Sequence, residues 1–389
     1  MPRISPFTGL LFDPARVGSL GHVTSPPYDT IAPDQERRLH ELSPYNAVRL
    51  ILGREQAKDD GTRNKYTRAS EMLRQWKEEG VLRPTRRPAW YPYEMRFSHL
   101  GRPRRVRGLI AEVELEEWGG SIHPHERTMS APVEDRLALL RAVRANLSPI
   151  YALYRGPSRE LATWLDEVTT SGASVGEVTD EAGVEHRMWM AEGGDDITAW
   201  LADEDLLIAD GHHRYTVALM YRDEMRAQLG PGPWDRMMML LVDAGAEDPP
   251  VLPIHRMVHS GSAPTAGRRV RDLAEVLSSL HDEDLTYGTA AVEDGRLIHR
   301  VAKAQGDPPT VCALHESVLA DQDGGLRFVP DAVAAEEEVR SGEAVAAFFL
   351  PPTRVERIRA IIDHDRRLPQ KSTYFWPKPR TGFVLRPLD

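Results

Sequence analysis

The sequence predicts an α+β protein, a mixed sheet surrounded by helices. Three observations carry that expectation. Leu206, Leu207 and Ile208 form a short apolar run that enters a polar turn, Asp210-Gly211-His212-His213-Arg214. Beyond the turn, Tyr215, Ala218, Leu219 and Met225 recur at helical spacing. Residues 90–115 alternate partially on both sides of Gly101-Arg102-Pro103, the pattern of a β-hairpin. Apolar runs of strand length at 236–242 (RMMMLLV) and 343–350 (EAVAAFFL) stand beside helical patterns. With 389 residues, 41% of them hydrophobic, the chain can bury a large core. Its polar motifs lie at both ends and in the middle, so a single interwoven body over 1–389 is expected.

In chain order, HVTSPPYDTIAP comes first. Pro26 and Pro27 stiffen the backbone and push the residue before them out of the α region. The rigid loop ends in Tyr28 and Asp29, which can present a phenol and a carboxylate to a site or make a capped turn before a helix. Residues 34–42 are expected to be helical and 47–52 (AVRLIL) a strand. A second helix over 65–79 puts Tyr66, Ala69, Met72, Leu73 and Trp76 on one face, and Gly80 stops it. The arginines at 102–107 read as a solvated edge that discourages sheet-to-sheet pairing. The loop SIHPHERT, kinked by Pro124, carries His123, His125 and Glu126. Its spacing is too irregular for a zinc site; Glu126 beside histidines suits a general base, and the bland alternative is a polar loop.

A helix over about 133–145 and a strand over 150–154 come next. They are followed by a helix at 160–168, two short strands within 174–190 and a short helix at 195–201. Past the central turn and its helix, the methionines of 236–242 read as core filling. His255 and Arg256 follow an apolar stretch in PPVLPIHRMV. Residues 263–306 are expected to be mainly helical and 311–314 strand-like. Pro351-Pro352 ends the buried strand at 343–350, and Thr353 caps a helix carrying Val355 and Ile358. In LPQKSTYFWPKPRTGFVL, Lys371, Ser372, Thr373, Tyr374 and Lys378 make a cationic, hydroxyl-rich loop beside Phe375 and Trp376. Such a loop can clamp phosphate, stack on a base or anchor the tail by its aromatics.

The net charge of −10 argues against non-specific nucleic-acid binding. One cysteine, Cys312, excludes an intramolecular disulfide or a Cys-rich zinc site and fits a reducing compartment. No apolar run is long enough to span a bilayer, and the N-terminus lacks the apolar stretch of a signal peptide. A cytoplasmic protein without membrane or nucleic-acid partners is expected.

The chemistry concentrates at the central turn. A strand feeding a helix through glycine exposes backbone N–H groups at the positive end of the helix dipole, where an anion is favoured. Two imidazoles and a guanidinium suit phosphate oxygens. Asp210 can cap the helix or hold a metal ion. A blander reading leaves it a cap and the histidines surface groups, but the placement after a buried strand favours the anion site.

SPPYD, HPHERT with EDRLALL and NLSPIYALY, IADGHHRY, LPIHR and PQKSTYFWPKPRTG, in that order, resemble the DUF1015 family of bacterial and archaeal proteins over nearly the whole chain. The resemblance implies that these segments converge on one site. The DGHHR turn is similar to one in the ParB/sulfiredoxin superfamily, where a glycine turn ending in arginine opens a helix and holds nucleotide phosphates. Within that superfamily it looks like the turn of free L-serine kinases, which phosphorylate free serine using ADP or ATP with magnesium.

That resemblance implies a ParB/sulfiredoxin-like nucleotide-binding core around 120–260. It also implies a small-molecule kinase moving a phosphoryl group from ATP or ADP, with Mg2+, to L-serine or a related hydroxy-amino acid. Gly211, His212, His213 and Arg214 would hold the polyphosphate, with Lys371, Ser372, Thr373 and Lys378 closing over it. Glu126 is the preferred base and Asp29 the competing one; Asp210, also the Mg2+ ligand, and His213 complete the catalytic set. Tyr28, His125, Arg136, His255 and Arg256 would face the acceptor. No GxxxxGK[ST] is present, so this is not a P-loop, and the protein-kinase motif set is missing. Two rival functions use the same turn: a phosphatase acting on a phospho-amino acid, and a non-enzymatic nucleotide-binding switch.

Overall fold

Strand Leu206–Asp210 ends at a glycine and hands the chain directly to helix His212–Leu229. Around this pair the computed structural model, which describes residues 2–126, 130–156, 159–194, 196–320, 325–362 and 367–389, builds a mixed sheet. Two compact units share the chain. The first takes residues 1–124, 128–249 and 377–389, and the second takes 125–127 and 250–376.

The first unit's large sheet has nine strands among the described residues. From one edge these run Ile122–Pro124, Leu206–Asp210, Ile150–Tyr154, Arg236–Asp243, Arg102–Glu114, Tyr91–His99, Glu185–Met188 and Gly176–Thr179, and Ile4–Ser5 also pairs with Arg102–Glu114. Two pairings are parallel, Leu206–Asp210 with Ile122–Pro124 and Arg236–Asp243 with Ile150–Tyr154. The rest of this sheet is antiparallel. The α+β class with a mixed sheet is as expected.

The period-two pattern shows why these segments are strands. Leu109, Ala111, Val113, Ile150, Ala152, Leu206, Ile208, Met237, Met239 and Leu241 share one core with Tyr215, Ala218 and Leu219 of the long helix. The intervening Leu153, Leu207, Met238 and Leu240 are buried as well. The other side of the long helix, through Val217, Tyr221 and Met225, packs with Leu137 of helix Ser130–Val143. That helix agrees with the sequence, as do Pro33–Leu42 and Lys65–Glu78. The expected 195–201 helix is Ile197–Trp200, with Asp195 outside the described residues. Arg127 and Thr128 of HPHERT also lie outside them.

The second unit has an antiparallel sheet in the order Arg268–Val270, Arg296–Lys303, Thr286–Glu293, Ala346–Phe349, His255–Val258, Leu326–Val329. Its core joins Met257, Ala290, Ala347 and Phe349 to Val276, Ala335 and Val339 from its helices.

Several expectations are corrected. Residues 47–52 are not a strand: Asn46 accepts the Val48 N–H at 2.9 Å and opens helix Val48–Ile51. Its apolar run is too short to show a period. The 263–306 region is not mainly helical: it holds three strands, Arg268–Val270, Thr286–Glu293 and Arg296–Lys303, and one short helix, Leu273–Ser278. Asp294 (φ 49°) and Gly295 (φ 73°) make the tight turn of the hairpin there, a dipeptide suited to that geometry. Residues 311–314 lie in helix Thr310–Ser317, where Cys312 is buried as expected. The loop at 122–124 is an edge strand, and Thr373–Phe375 pairs with Val251–Pro253. Strand Arg102–Glu114 lies inside the sheet, but its arginine-rich stretch 102–107 pairs on one side only, with Tyr91–His99. Of its arginines, Arg104 pairs with Asp248 at 3.0 Å and Arg107 with Glu247 at 3.4 Å.

Gly108 sits where strands Arg102–Glu114 and Arg236–Asp243 meet. A Cβ there would lie 2.4 Å from the Leu241 carbonyl oxygen. Overpacking of this kind costs about 1–3 kcal/mol, so Gly108→Ala is expected to lower the urea midpoint accordingly. An unchanged midpoint would contradict that close strand contact.

Candidate functional site

In the first unit, strand Leu206–Asp210 delivers Asp210 to the edge of a cleft, and Gly211 follows at φ 102°. That left-handed backbone is why glycine stands there. A Cβ would also press on the Arg214 guanidinium at 3.0 Å. The 18-residue helix then begins at His212. Amides of a helix's first turn lack intrahelical acceptors, and the dipole makes that end positive. Gly211, the residue after Asp210, is the N-cap of the helix.

Asp210 instead gathers cations. One carboxylate oxygen accepts from Arg214 at 2.6 Å and the other from the Lys378 ammonium. Lys378 also reaches Asp29 at 3.3 Å. The Arg214 Nη1 donates to the Pro149 carbonyl at 2.6 Å and to the Ser148 hydroxyl at 3.0 Å, while its Nε–H is buried without an acceptor. Ser148 and Pro149 belong to the NLSP segment, which the family resemblance placed at the site without giving either residue a role. The arginine fork is thus held from two sides with one donor left over, in a cleft of about 60 Å³ lined by Tyr28, Arg136, Asn146, Ser148 and Arg214 among others.

Tyr28 begins the turn Tyr28–Thr30 after Pro27, and Thr30 closes it on the Pro27 carbonyl at 2.9 Å. The following helix is capped at Ala32 without a side-chain bond, so Asp29 is not a cap. Burial first, then the Asp29 charge, pushes the Tyr28 phenol up to about 12, and it stays protonated at neutral pH. The Arg136 guanidinium lies over its ring, 4.3 Å from the centroid. Lys378 is brought here by the tail. Ser25 and Thr381 exchange backbone hydrogen bonds of 3.1 and 2.8 Å, and Arg380 donates to the Thr24 hydroxyl at 3.1 Å and its carbonyl at 3.0 Å. His212 is buried and His213 half-buried at the start of the helix. Tyr28, Asp29, Arg136, the 210–214 turn and Lys378 therefore gather in one unit.

The remaining expected residues belong to the second unit. Glu126 bridges Leu368, and His125 meets Thr373 at 2.6 Å and the Phe375 ring edge-on at 5.7 Å. Two of the expected acceptor contacts are structural in this fold. The fully buried Arg256 donates to the carbonyls of Ile254 (2.5 Å), Lys371 (2.8 Å) and Gln370 (3.4 Å) and to His315 (3.0 Å). It shapes the Gln370-Lys371 backbone, where Lys371 has φ 54°. His255 is buried against Phe349, and its Nδ1 accepts the Leu350 N–H at 3.2 Å. The Ser372 hydroxyl donates to the Pro369 carbonyl at 2.5 Å, tying the loop to itself.

The first unit thus gathers Asp29, Asp210, Arg214 and Lys378 at a strand–glycine–helix corner of an α+β fold. The chain belongs to DUF1015, described as "Protein of unknown function (DUF1015)", whose model matches residues 4–324. Among solved structures it is similar to a free serine kinase in complex with AMP, at 13% identity and TM-score 0.38, covering 68% of this chain and 86% of that one. It is also similar to a conserved hypothetical protein from Pyrococcus furiosus (13%, TM-score 0.35, 68% and 89%). SbnI with a C-terminal truncation from Staphylococcus aureus is a further likeness (12%, TM-score 0.39, 69% and 84%). No curated protein matches the chain. No helix among the described residues is long and apolar enough to cross a membrane.

Two expectations follow. Gly211→Ala forces an L-residue to φ 102° against Arg214, and such strain costs about 1–3 kcal/mol; a denaturant titration measures it, and an unshifted midpoint contradicts the strained corner. Burial first, then the Arg256 charge, pushes His255 down to about 4 from its ordinary 6.5. As pH falls between those values the unfolded chain takes up a proton that the folded chain refuses, so stability is lost, by roughly 3 kcal/mol in all. His255→Gln is expected to flatten this part of the urea midpoint's pH dependence between 6.5 and 4. Parallel profiles for the two proteins would deny His255 that role.

Proposed function

We propose that the protein is a phosphotransferase of the cytoplasm, moving a phosphoryl group from ATP or ADP to the hydroxyl of free L-serine or a related hydroxy-amino acid. The observation that carries this reading is the corner at Gly211. An arginine fork held by Asp210, Ser148 and Pro149 keeps one buried donor without an acceptor beside the positive end of an 18-residue helix. Phosphoryl transfer asks for such a cradle, since charge neutralisation and positioning supply most of the catalysis.

In this reading the first-turn amides and Arg214 hold phosphate oxygens, and Lys378 supplies a second cation between Asp29 and Asp210. Both oxygens of Asp210 already accept from cations, so phosphate would compete for Lys378 and Arg214. Tyr28 contributes a neutral donor, and His213 sits at the helix start. Among the described residues no three His, Cys, Asp or Glu side chains group as metal ligands. The pair that meets at Lys378, Asp29 and Asp210, suits Mg2+, which commonly takes one or two protein carboxylates and completes its shell with phosphate and water. When bound, Mg2+ would neutralise phosphate charge. Asp29 is the base candidate of the first unit and Glu126 that of the second.

The test is a transfer assay with Mg2+, ATP or ADP and a panel of hydroxy-amino acids, read by mass spectrometry. A phospho-amino acid is expected. Loss of a general base should slow turnover about 100-fold or more, so comparing Asp29→Asn with Glu126→Gln identifies which carboxylate serves. Arg214→Ala is expected to weaken nucleotide binding at least about tenfold. A folded Arg214→Ala protein of full affinity refutes the cradle, release of phosphate from phosphoserine without transfer makes the protein a phosphatase, and nucleotide binding without turnover makes it a switch.

A further inference from the structure

A second cavity of about 520 Å³ opens in the first unit, within the range of small-molecule sites. Ile51, Arg136 and Leu139 line both this cavity and the small cleft beside Tyr28. None of its other charged groups was singled out from the sequence.

Its floor is a closed network. Asp135 accepts from the Tyr66 hydroxyl at 2.8 Å, from Arg136 Nε at 2.8 Å and from Lys65 at 3.0 Å. The remaining Arg136 Nη1 donates to the Ile51 carbonyl at 2.7 Å. These contacts spend the floor's charges on one another and fix Arg136 over Tyr28. They also hold Asp135 well below the ordinary carboxylate range against the burial that opposes ionisation, Arg136 being the largest favourable cause.

The rim is different. Arg54 makes no side-chain hydrogen bond or ion pair among the described residues, and it is exposed at the cavity mouth. Its positive field reaches inward: burial first, then Arg54, lowers the nearby Arg49. Glu36, on helix Pro33–Leu42, also lines the cavity; it is a third exposed and lies 3.8 Å from the His40 ring nitrogen. Burial first, then the charges of Arg54 and Arg49, depresses His40, while the Leu52 carbonyl and Glu36 raise it, for a net lowering. Glu36 therefore faces a neutral ring at pH 7. Gly53 brings bare backbone to the wall, where a Cβ would stand 3.1 Å from the Lys65 carbonyl oxygen. Glu55, the remaining carboxylate of the lining, is paired with Lys65 at 3.3 Å, so Arg54 and Glu36 are the lining charges least committed elsewhere, and they match a ligand with one charge of each sign.

We propose that this cavity binds a free α-amino acid, its carboxylate on Arg54 and its ammonium on Glu36. The inference rests on the phosphotransferase reading in one respect, that the bound amino acid is the acceptor. The acceptor's side chain would then point past Arg136 toward Tyr28 and Asp29. The cavity exceeds the size of serine, so longer hydroxy-amino acids fit it as well, and selection rests on the two charges.

Calorimetric titration of the full chain with L-serine, L-homoserine, L-glycerate and ethanolamine tests this without any turnover. L-serine or L-homoserine is expected to bind. Glycerate, which lacks the ammonium, and ethanolamine, which lacks the carboxylate, are each expected to bind at least tenfold more weakly. Arg54→Gln and Glu36→Gln, both at the exposed rim, are expected to weaken amino-acid binding at least tenfold while ATP affinity and the thermal midpoint stay unchanged. Unchanged amino-acid affinity in the two variants, equal binding of the one-charge analogues, or ATP binding with no amino acid bound would each overturn the proposal. Amino-acid binding that depends on Arg54, in a protein that transfers no phosphate, would leave the cavity assignment standing and remove the phosphotransferase reading.

Discussion

One carboxylate, Asp210, ties the first unit's functional corner together. It stands at the end of a buried strand with little exposure of its own, where an unpaired charge would be costly. Arg214 from the first turn of the long helix and Lys378 from the tail answer it. Arg214 in turn is spread over Ser148 and Pro149 at the entry to the neighbouring strand. Strand, helix, neighbouring strand and tail are thereby brought to one point by charge. The left-handed glycine between Asp210 and His212 makes the geometry possible, because it turns the chain sharply enough for Arg214 to reach back over it.

The same economy appears at Tyr28 and Arg136. The phenol is kept protonated by burial, and the guanidinium above it is fixed by a neighbouring carboxylate and a backbone carbonyl. Arg136 forms a wall of both cavities of the first unit, so its fixed position defines the two at once. In the second unit, by contrast, two of the polar residues serve the fold. Arg256 organises the backbone ahead of Thr373, and His255 is buried in the sheet, where burial disfavours its charged form.

The corner was legible in the sequence because it is local: an apolar strand, a glycine and a helical repeat lie within about twenty residues and follow their own periodicities. The Trp90-to-Leu115 hairpin was legible for the same reason. What escaped was decided elsewhere. Val48–Ile51 is too short for a period to speak, and a neighbouring asparagine makes it helical. The hairpin around Asp294-Gly295 did carry its turn signal, but alanines and charges nearby gave a helical impression that the sheet overrides. Ser148, Asp135 and Arg54 have no mark in sequence, since their meaning comes from side chains tens of residues away. His255 and Arg256 look like a site in sequence because a histidine and an arginine in series look polar. Whether such a pair meets ligand or backbone is settled by burial alone.

The chain's route has a consequence for biosynthesis. Residues 377–389 complete the first unit, yet they are made only after all of the second unit's 250–376 segment has been synthesised. They bring Lys378 to Asp29 and Asp210, and they lock Thr24 and Ser25 through Arg380 and Thr381. Domains commonly fold as they emerge, but here the earlier-made unit must wait with its acidic pair lacking this lysine while roughly a third of the chain is added. During that interval Asp29 and Asp210 lack one of their cations, so a nascent chain paused before Pro377 carries an unfinished charge cluster. Completion of the cluster is thereby tied to synthesis of that late segment.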